Sequence, residues 1–270
     1  MNKCDARDKV SNEMKAIIAE WIREDNVEIA NSNSEQVSFH ETLYTRFVKR
    51  LIDIVVSLIV LTITFPVNFI IGIVTYFDVG LPLFFTQNRV GKNEKIFSII
   101  KFRNMKNTVD ENGILLPPDK RVTRWGRFVR KVSLDELLNF VSVLKGDMSL
   151  IGPRPLPESY LPRYSERHKQ RLRVRPGLEC PPNSIETFDG SWEQRFENDI
   201  WYVENISLKT DCLMVIRLFQ FAFNRKFANK RGNAKTSSFI GYDEKGKAID
   251  LNDVPDDYIV RVLEENGIKV

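Results

Sequence analysis

An apolar run constrains this chain more than any other feature of its 270 residues. The run occupies residues 51–77 and reads LIDIVVSLIVLTITFPVNFIIGIVTYF. From Ile54 to Phe77 it contains no charged residue, and these 24 positions are enough to cross the hydrocarbon core of a bilayer. A buried helix of this length in a soluble protein normally has a polar stripe, which this run barely shows. The sequence therefore predicts a membrane-inserted segment.

Two features of this segment favour a re-entrant hairpin over a straight span. Pro66 lies in its middle, where a proline removes a backbone N–H and kinks a helix. Positive charge prefers the cytoplasmic side of a membrane, and here it stands on both sides of the run. A kinked hairpin that enters and leaves by one face satisfies both flanks, and an ordinary signal-anchor helix is the alternative. The flanking basic residues are Arg46, Lys49, Arg50, Arg89, Lys92 and Lys95.

The rest of the composition excludes several classes of function. The formal net charge is only +4, so the whole molecule does not resemble a strong polyanion binder. The three cysteines are scattered, with no CxxC or Cys/His cluster, which indicates neither a disulfide framework nor a zinc site and fits a reduced cytosolic setting. The two histidines, His40 and His168, are far apart, so Ser-His or Cys-His catalysis is not expected.

Two adjacent carboxylates, Asp135 and Glu136, follow a stretch rich in basic residues. In one interpretation Ser133 and Glu136 form a capping box at the start of an amphipathic helix over residues 134–144. In the other, the pair is a reactive centre that handles a phosphate. Nearby cations such as Arg130 would keep Asp135 ionised and could hold a phosphate, and a helix N-terminus is itself an anion site.

Arg154 lies between two prolines in the motif GPRP, residues 152–155. The fixed φ angles on both sides reduce the cost of holding its guanidinium in place, although a surface arginine in a turn is the alternative. Carboxylates among cations, next to a membrane segment, suggest phosphoryl chemistry on a lipid phosphate. A carboxylate can act as the nucleophile in such chemistry, and Mg²⁺ would offset the phosphate charge.

These motifs resemble those of the bacterial sugar transferases, the monotopic polyprenol-phosphate phosphoglycosyl transferases. The resemblance covers about residues 46–220, and its most specific parts are SLDEL, LKGDMSLIGPRP and VRPG in this order. The other matching segments are KRLIDIVVSLIV, PLFFTQNRVGKNEKIFSIIKFRNM, YLPRYSERHKQRLRVRPG and SWEQRFENDIWYVENISLKTD.

The resemblance implies a re-entrant membrane helix on the cytoplasmic face of the bacterial inner membrane, with Pro66 at its kink. It implies that Asp135 attacks the sugar-linked phosphorus of a UDP-sugar and that UMP leaves. Undecaprenyl phosphate then takes the phosphosugar, as the first membrane step of a surface glycan pathway. Mg²⁺ is the implied cofactor, with Asp135 as a ligand and Glu136 as its acidic partner. The implied phosphate site consists of Lys101, Arg103, Arg130 and Arg154, with Pro153 and Pro155 holding its loop.

The chain departs from the family pattern at two places. Phe65 stands before the membrane proline, where the family usually has a serine, so Thr62 or Thr64 would have to bond a carbonyl freed by the kink. After RPG, the usual segment of the form TGxxQxxGR is replaced by LECPPNSIETF at residues 178–188, with Thr187 where an arginine would fall. Sugar or nucleotide recognition is therefore expected to differ.

The predicted fold is α-dominated α+β, with interfacial amphipathic helices and a small cytosolic catalytic domain. Its four segments are residues 1–45, 46–80, 81–223 and 224–270. The first has an amphipathic helix at 10–24, which docks on the domain or on lipid headgroups, and a polar linker at 25–40. The second is the re-entrant membrane segment, and the third is the catalytic domain, with helices at 192–205 and 208–223. The fourth has a basic linker from residue 224, a hairpin around Lys245 and Gly246, and a short helix.

A catalytically weak membrane-bound scaffold is the alternative function, with other glycan-assembly enzymes or a second copy of the chain as partners. A nucleic-acid binder that uses the basic stretch 163–175 is a third, but the chain has no recognisable nucleic-acid motif, and no nucleic-acid partner is expected.

Overall fold

The computed structural model describes residues 3–32, 35–111, 113, 115–184, 187–223 and 238–268. Helices predominate in this part of the chain and are accompanied by three two-stranded sheets, which confirms a helix-dominated α+β fold. The helices are α1 Lys3–Asp8, α2 Asn12–Ser32, α3 Lys49–Val79, α4 Pro118–Arg121, α5 Arg124–Lys131, α6 Asn139–Lys145, α7 Glu166–Lys169, α8 Trp192–Asn205, α9 Leu208–Phe223 and α10 Asp256–Glu265. The strands are β1 Phe84–Val90, β2 Ile96–Phe102, β3 Ser149–Ile151, β4 Gly177–Glu179, β5 Phe239–Tyr242 and β6 Ala248–Asp250.

The apolar run forms one continuous helix, α3, which extends through Pro66 and follows a π-helical turn at Tyr44–Val48. Among the described residues, Tyr44–Val79 is the helix whose length and composition would let it cross a membrane. The hydroxyls of Thr62 and Thr64 donate to the carbonyls of residues 58 and 60, each at 2.8 Å. The carbonyl that Pro66 leaves without an N–H donor belongs to Thr62 itself. The expectation that a threonine would bond a freed carbonyl is therefore wrong, and the kinked hairpin stays a prediction.

The buried face of the first half of α3 is polar, although the helix as a whole is apolar. Lys49, Asp53 and Ser57 are buried and follow one another at a spacing of four residues, on one side of the helix. Lys49 Nζ lies 2.5 Å from a carboxylate oxygen of Asp211 in α9. Asp53 accepts hydrogen bonds from the Ser149 hydroxyl and from the backbone N–H of Leu150, both in β3, at 3.0 Å each. The helix thus docks on the rest of the protein by polar contacts and leaves large apolar side chains exposed.

The end of α3 is fixed to a β-hairpin and to α5. Strands β1 and β2 pair antiparallel, with Phe84 opposite Phe102. The residue after β2, Arg103, donates to the carbonyls of Val79 and Gly80, which are left without helical partners at the end of α3. The Thr123 hydroxyl at the start of α5 donates to the Asp78 carboxylate at 2.5 Å. These contacts join α3 to the elements that precede the acidic pair.

A short parallel sheet places the GPRP motif beside the VRPG motif. Strand β3 leads directly into GPRP, and strand β4 begins at the glycine of VRPG. Ser149 pairs with Gly177, and Ile151 pairs with Glu179. The ladder continues past the strand, because the Gly177 N–H donates to the carbonyl of Pro153 at 3.0 Å.

The two ends of the described chain pack against each other. Met14, Ile18 and Ile22 of α2 are buried in one core with residues of β5, β6 and α10. The predicted C-terminal hairpin and short helix are confirmed, and so is the docking of the N-terminal helix on protein. A linker predicted over residues 25–40 is wrong in its first part, because α2 continues to Ser32, where Ala30 is buried. The predicted basic linker that begins at residue 224 lies outside the described residues up to 237.

Candidate active site

The acidic pair lies on a single 3₁₀ turn, Leu134–Glu136, and the next α-helix begins only at Asn139. Ser133 precedes the turn in the left-handed conformation, with φ of 56°, and its side chain makes no capping hydrogen bond. The predicted capping box and the predicted continuous helix over 134–144 are therefore wrong. A non-glycine residue in the left-handed region costs about 1–3 kcal/mol, and such residues cluster at functional sites.

Glu136 is held by two cations from distant parts of the chain. One of its oxygens, Oε1, lies 2.7 Å from Lys101 Nζ and 2.9 Å from Arg154 Nη2. Burial would raise the pKa of Glu136, but Arg154 and Lys101 outweigh this effect and hold its pKa below the usual range. Glu136 is thus ionised at neutral pH and ties the end of β2 to the GPRP loop.

Asp135 differs from its neighbour because its carboxylate has no side-chain hydrogen-bond partner among the described residues. The side chain is buried, and burial raises the pKa of Asp135 above the usual range, although Lys101 and Arg130 act in the opposite direction. Lys101 and Arg130 are the two cations that do most to lower the pKa of Asp135, and Arg130 lies at the exposed end of α5. Asp135 is therefore a desolvated carboxylate in a positive environment, and no other side chain bonds it among the described residues.

Contacts to both terminal nitrogens of its guanidinium and to its backbone carbonyl hold Arg154 in place. Its Nη1 atom lies 3.3 Å from Glu179 Oε2, while Nη2 bonds Glu136. Its carbonyl accepts a hydrogen bond of 2.8 Å from Arg171, which is itself paired with Asp199 of α8 at 2.7 Å. Half of the Arg154 side chain nevertheless stays exposed, at 49%. The flanking residues Pro153 and Pro155 are both buried.

The structure brings together most, but not all, of the predicted phosphate-site residues. Lys101, Arg130 and Arg154 all act on the acidic pair, electrostatically or by direct contact. Arg103 instead donates to carbonyls at the end of α3, and no ion pair among the described residues connects it to Glu136. Its role toward phosphate stays a prediction, whereas its contact with the end of α3 is direct.

The basic stretch 163–175 is largely occupied within the fold. Arg163 donates to a backbone carbonyl of β5 at 2.6 Å, and Arg167 forms a bidentate pair with Glu197 at 2.6 and 2.7 Å. Arg171 is almost fully buried in its pair with Asp199. These three side chains are not available as a surface for nucleic acid. Sequence reasoning missed their internal partners, which lie 28 to 76 positions further along the chain.

A cavity of about 500 Å³ opens beside Glu136 and Arg154. The segment 178–188, which departs from the family pattern, contributes Glu179 and Phe188 to its lining. The first turns of α8 add Trp192 and Arg195, and the Arg195 guanidinium lies over the Trp192 ring at 5.4 Å. The altered segment is therefore part of the site. Further lining residues are Ser133, Leu156, Arg171, Cys180, Pro181, Pro182, Phe196, Asn198, Asp199 and Leu218.

The acidic pair does not form a closed metal cage. Among the described residues, one group of three potential ligands lies within 4.8 Å, and it consists of His168, Glu193 and Glu197. Protein contacts already occupy that group, because the His168 ring bonds Tyr242 and Glu197 at 3.0 Å each. Mg²⁺ usually needs only one or two carboxylates beside substrate phosphates, so the carboxylate of Asp135, which no other described side chain bonds, fits such an ion.

The comparison with known families decides what kind of protein this is. The model of the family described as "Bacterial sugar transferase" matches residues 44–225, which include the acidic pair, the GPRP loop and α8. The chain belongs to the bacterial sugar transferase family. The matched region begins at the π-helical turn before α3 and excludes α1, α2, β5, β6 and α10.

Several curated relatives cover the same region. An uncharacterized sugar transferase, EpsL of Bacillus subtilis, is 42% identical over 171 residues, which are 62% of this chain and 85% of EpsL. The UDP-N-acetylgalactosamine-undecaprenyl-phosphate N-acetylgalactosaminephosphotransferase of Aeromonas hydrophila is 34% identical over 179 residues, or 63% of this chain and 42% of the relative. The undecaprenyl-phosphate galactose phosphotransferase of Salmonella typhimurium is 34% identical over 198 residues, or 67% and 41%. The chain thus spans less than half the length of the last two relatives.

Proposed function

We propose that this bacterial sugar transferase moves a phosphosugar from a UDP-sugar to undecaprenyl phosphate and releases UMP. One observation supports the proposal above all: the buried carboxylate of Asp135, which no other side chain bonds among the described residues, interacts electrostatically with Lys101, Arg130 and Arg154, and its neighbour Glu136 lines a cavity. The relatives from Aeromonas and Salmonella are named for phosphotransfer to undecaprenyl phosphate, which supports the same reaction class. The reaction would be the first membrane step of a surface glycan pathway.

The two carboxylates would have different roles in this reaction. Glu136 is engaged by two cations and would keep Arg154 and Lys101 in place for the diphosphate. An oxygen of Asp135 would form a bond to the sugar-linked phosphorus, and the bond from that phosphorus to the bridging oxygen would break, with its electron pair leaving on UMP. The phosphate oxygen of undecaprenyl phosphate would then attack the same phosphorus, and the Asp135 carboxylate would be released. The products are UMP and undecaprenyl-diphospho-sugar.

A divalent ion fits this scheme through one protein ligand. Asp135 would hold Mg²⁺ together with oxygens of the substrate diphosphate, and the bound ion would supply charge neutralisation at the phosphates. Lys101 and Arg154 would remain the groups of the chain that orient the diphosphate, because both already converge on one oxygen of Glu136.

For the membrane segment we propose a re-entrant arrangement on the cytoplasmic face of the inner membrane. Basic residues on both sides of the apolar run in the sequence and a proline in its middle support this topology. We expect single cysteines placed at Glu41 and at Lys95 to react with a membrane-impermeant thiol reagent from the same side, in inside-out vesicles and not in sealed cells. Labelling of the two positions from opposite sides would show a straight span instead.

The reaction itself is tested by a screen of UDP-sugars in detergent or nanodiscs, with undecaprenyl phosphate and Mg²⁺ present and UMP detected. UDP-galactose and UDP-N-acetylgalactosamine are the first candidates, because the named relatives transfer the corresponding phosphosugars. We expect at least one donor to give UMP and a lipid-linked sugar diphosphate in equal amounts. UMP release from none of the donors would contradict the proposal and favour the scaffold alternative.

A further inference from the structure

Two described segments outside the family match pack together as one body. Residues 3–32 and 238–268, here called the terminal unit, share a hydrophobic core between the two ends of the chain. Ile18 of α2, Ile240 of β5 and Ile259 of α10 are all at most 1% exposed within it. The sequence analysis assigns these two regions to separate segments at opposite ends of the chain. In the structure they pack together on the surface of the transferase domain.

Strand β5 contributes to two different cores through adjacent residues. Ile240 points into the core of the terminal unit, whereas Phe239 belongs to an aromatic cluster of the transferase domain. The Phe239 ring lies 4.9 Å from the ring of Phe196 and 5.7 Å from that of Trp192, measured between centroids. Both Phe239 and Ile240 are fully buried. The Phe239 ring is thus in direct contact with both aromatic rings of the first turns of α8. Other residues of the terminal unit that are buried in the same cluster are Ala30, Tyr242 and Ala248.

Those turns of α8 form one wall of the cavity beside the acidic pair. Trp192, Arg195 and Phe196 all line it. The Arg195 guanidinium over the Trp192 ring gives this wall a flat, cationic surface. Such a surface suits the donor nucleotide, whose base is planar and whose phosphates are anionic, better than the apolar chain of the acceptor.

Hydrogen bonds hold the terminal unit in register with this wall. The carbonyl of Phe239 accepts from Arg163 at 2.6 Å. The backbone N–H of Ala248 in β6 donates to the Glu193 carboxylate of α8 at 2.7 Å. The Tyr242 hydroxyl accepts from the backbone N–H of Ser165 at 2.8 Å. The contact is therefore a specific joint and not a loose apposition of apolar surfaces.

We propose that Phe239 is a positioning residue for the UDP-sugar: through Trp192 and Phe196 it holds the α8 wall of the cavity. The terminal unit, although it lies outside the family match, then forms part of the donor-binding apparatus. This inference rests on the proposed function for the identity of the donor, but the joint itself does not depend on that identity. If Phe239 had only a structural role, its replacement would lower the stability but would not raise the KM for the UDP-sugar relative to the KM for undecaprenyl phosphate.

The test compares Phe239→Leu with Ile240→Ala in the full-length protein, because the two residues are adjacent, equally buried and point into different cores. We expect Phe239→Leu to raise the KM for the UDP-sugar about five-fold, with the KM for undecaprenyl phosphate unchanged. Ile240→Ala should lower the Tm at least as much and leave both KM values unchanged. Phe239→Met, which has nearly the volume of leucine and also lacks the ring, should raise the KM for the UDP-sugar to a similar extent.

A second measurement keeps the inference separate from the proposed reaction. Hydrogen exchange of the backbone amides of residues 192–199 should become faster in Phe239→Leu and not in Ile240→Ala, whether or not a donor is known. If wild type releases no UMP but this exchange pattern is found, the proposed function is contradicted. The inference that Phe239 holds the α8 wall in place is then still supported. Equal changes in donor KM or in α8 exchange for both variants, or no change for Phe239→Leu, would overturn the inference.

Discussion

Replacement of Asp135 by asparagine is expected to reduce UMP release from the UDP-sugar on the order of 1000-fold or more. The amide has nearly the shape of the carboxylate but is not a nucleophile toward phosphorus, so no phosphosugar can form on the residue. Glu136 is not expected to take over this role, because its ion pairs with Lys101 and Arg154 hold the carboxylate in place and lower its nucleophilicity. Single-turnover UMP release without undecaprenyl phosphate measures this step directly.

The matched control is Asp257→Asn, which makes the same chemical change at an exposed position in the first turn of α10. It should release UMP at the wild-type rate. An Asp135→Asn protein that retains a rate within about ten-fold of wild type would show that Asp135 is not the nucleophile.

Asp135→Asn should not destabilise the protein at neutral pH. Burial raises the pKa of Asp135 in the folded state, so folding favours the protonated form of this group. Its stabilising contribution is fully present below the unfolded pKa of about 3.9 and is lost as the pH rises through the higher folded value. Relative to wild type, Asp135→Asn should therefore have an equal or higher Tm near pH 7, and the difference should shrink as the pH falls toward 4. A clear loss of Tm at pH 7 would mean that the carboxylate has a structural partner.

Elements whose signals are local could be predicted from the sequence. Helices α8 and α9 follow from apolar periodicity, and the hairpin of β5 and β6 follows from the turn residues around Lys245 and Gly246. The failure at Ser133 and Glu136 has a physical reason. The capping box requires Glu136 to reach back to a backbone N–H, but two cations offer charged hydrogen bonds, which are about twice as strong.

The candidate site could be predicted only in part, for a related reason. Asp135, Lys101, Arg130 and Arg154 stand in recognisable motifs, and the structure places them together. The pairing of Arg171 with Asp199 joins positions 28 residues apart, in two matching segments whose contact no local pattern predicts. The joining of the chain ends is still less local, since Asn26 donates to a carbonyl 216 residues away. Such pairs depend on the completed fold.

A second large effect is expected from Gly177→Ala, at the point where VRPG crosses GPRP. A Cβ atom at Gly177 would lie 2.1 Å from the backbone nitrogen of Gly152 and 2.6 Å from the carbonyl carbon of Ile151. Both contacts are with backbone, which cannot rotate away as a side chain can. The strands would have to separate, and the hydrogen bond from the Gly177 N–H to the Pro153 carbonyl would be lost. We expect a loss of about 3 kcal/mol in the free energy of unfolding, or about 10 °C in Tm.

The effect on activity should exceed the effect on stability, because the strain falls on the loop that holds Arg154. Separation of the strands moves Pro153 and with it the guanidinium that bonds Glu136 at 2.9 Å. UMP release measured well below the Tm should therefore fall on the order of 100-fold, as expected for a misplacement of about 1 Å. Gly72→Ala is the control, since a Cβ there would meet its nearest atom, in Phe102, at an ordinary 3.7 Å. Wild-type activity in folded Gly177→Ala would mean that the spacing of the two motifs does not position Arg154.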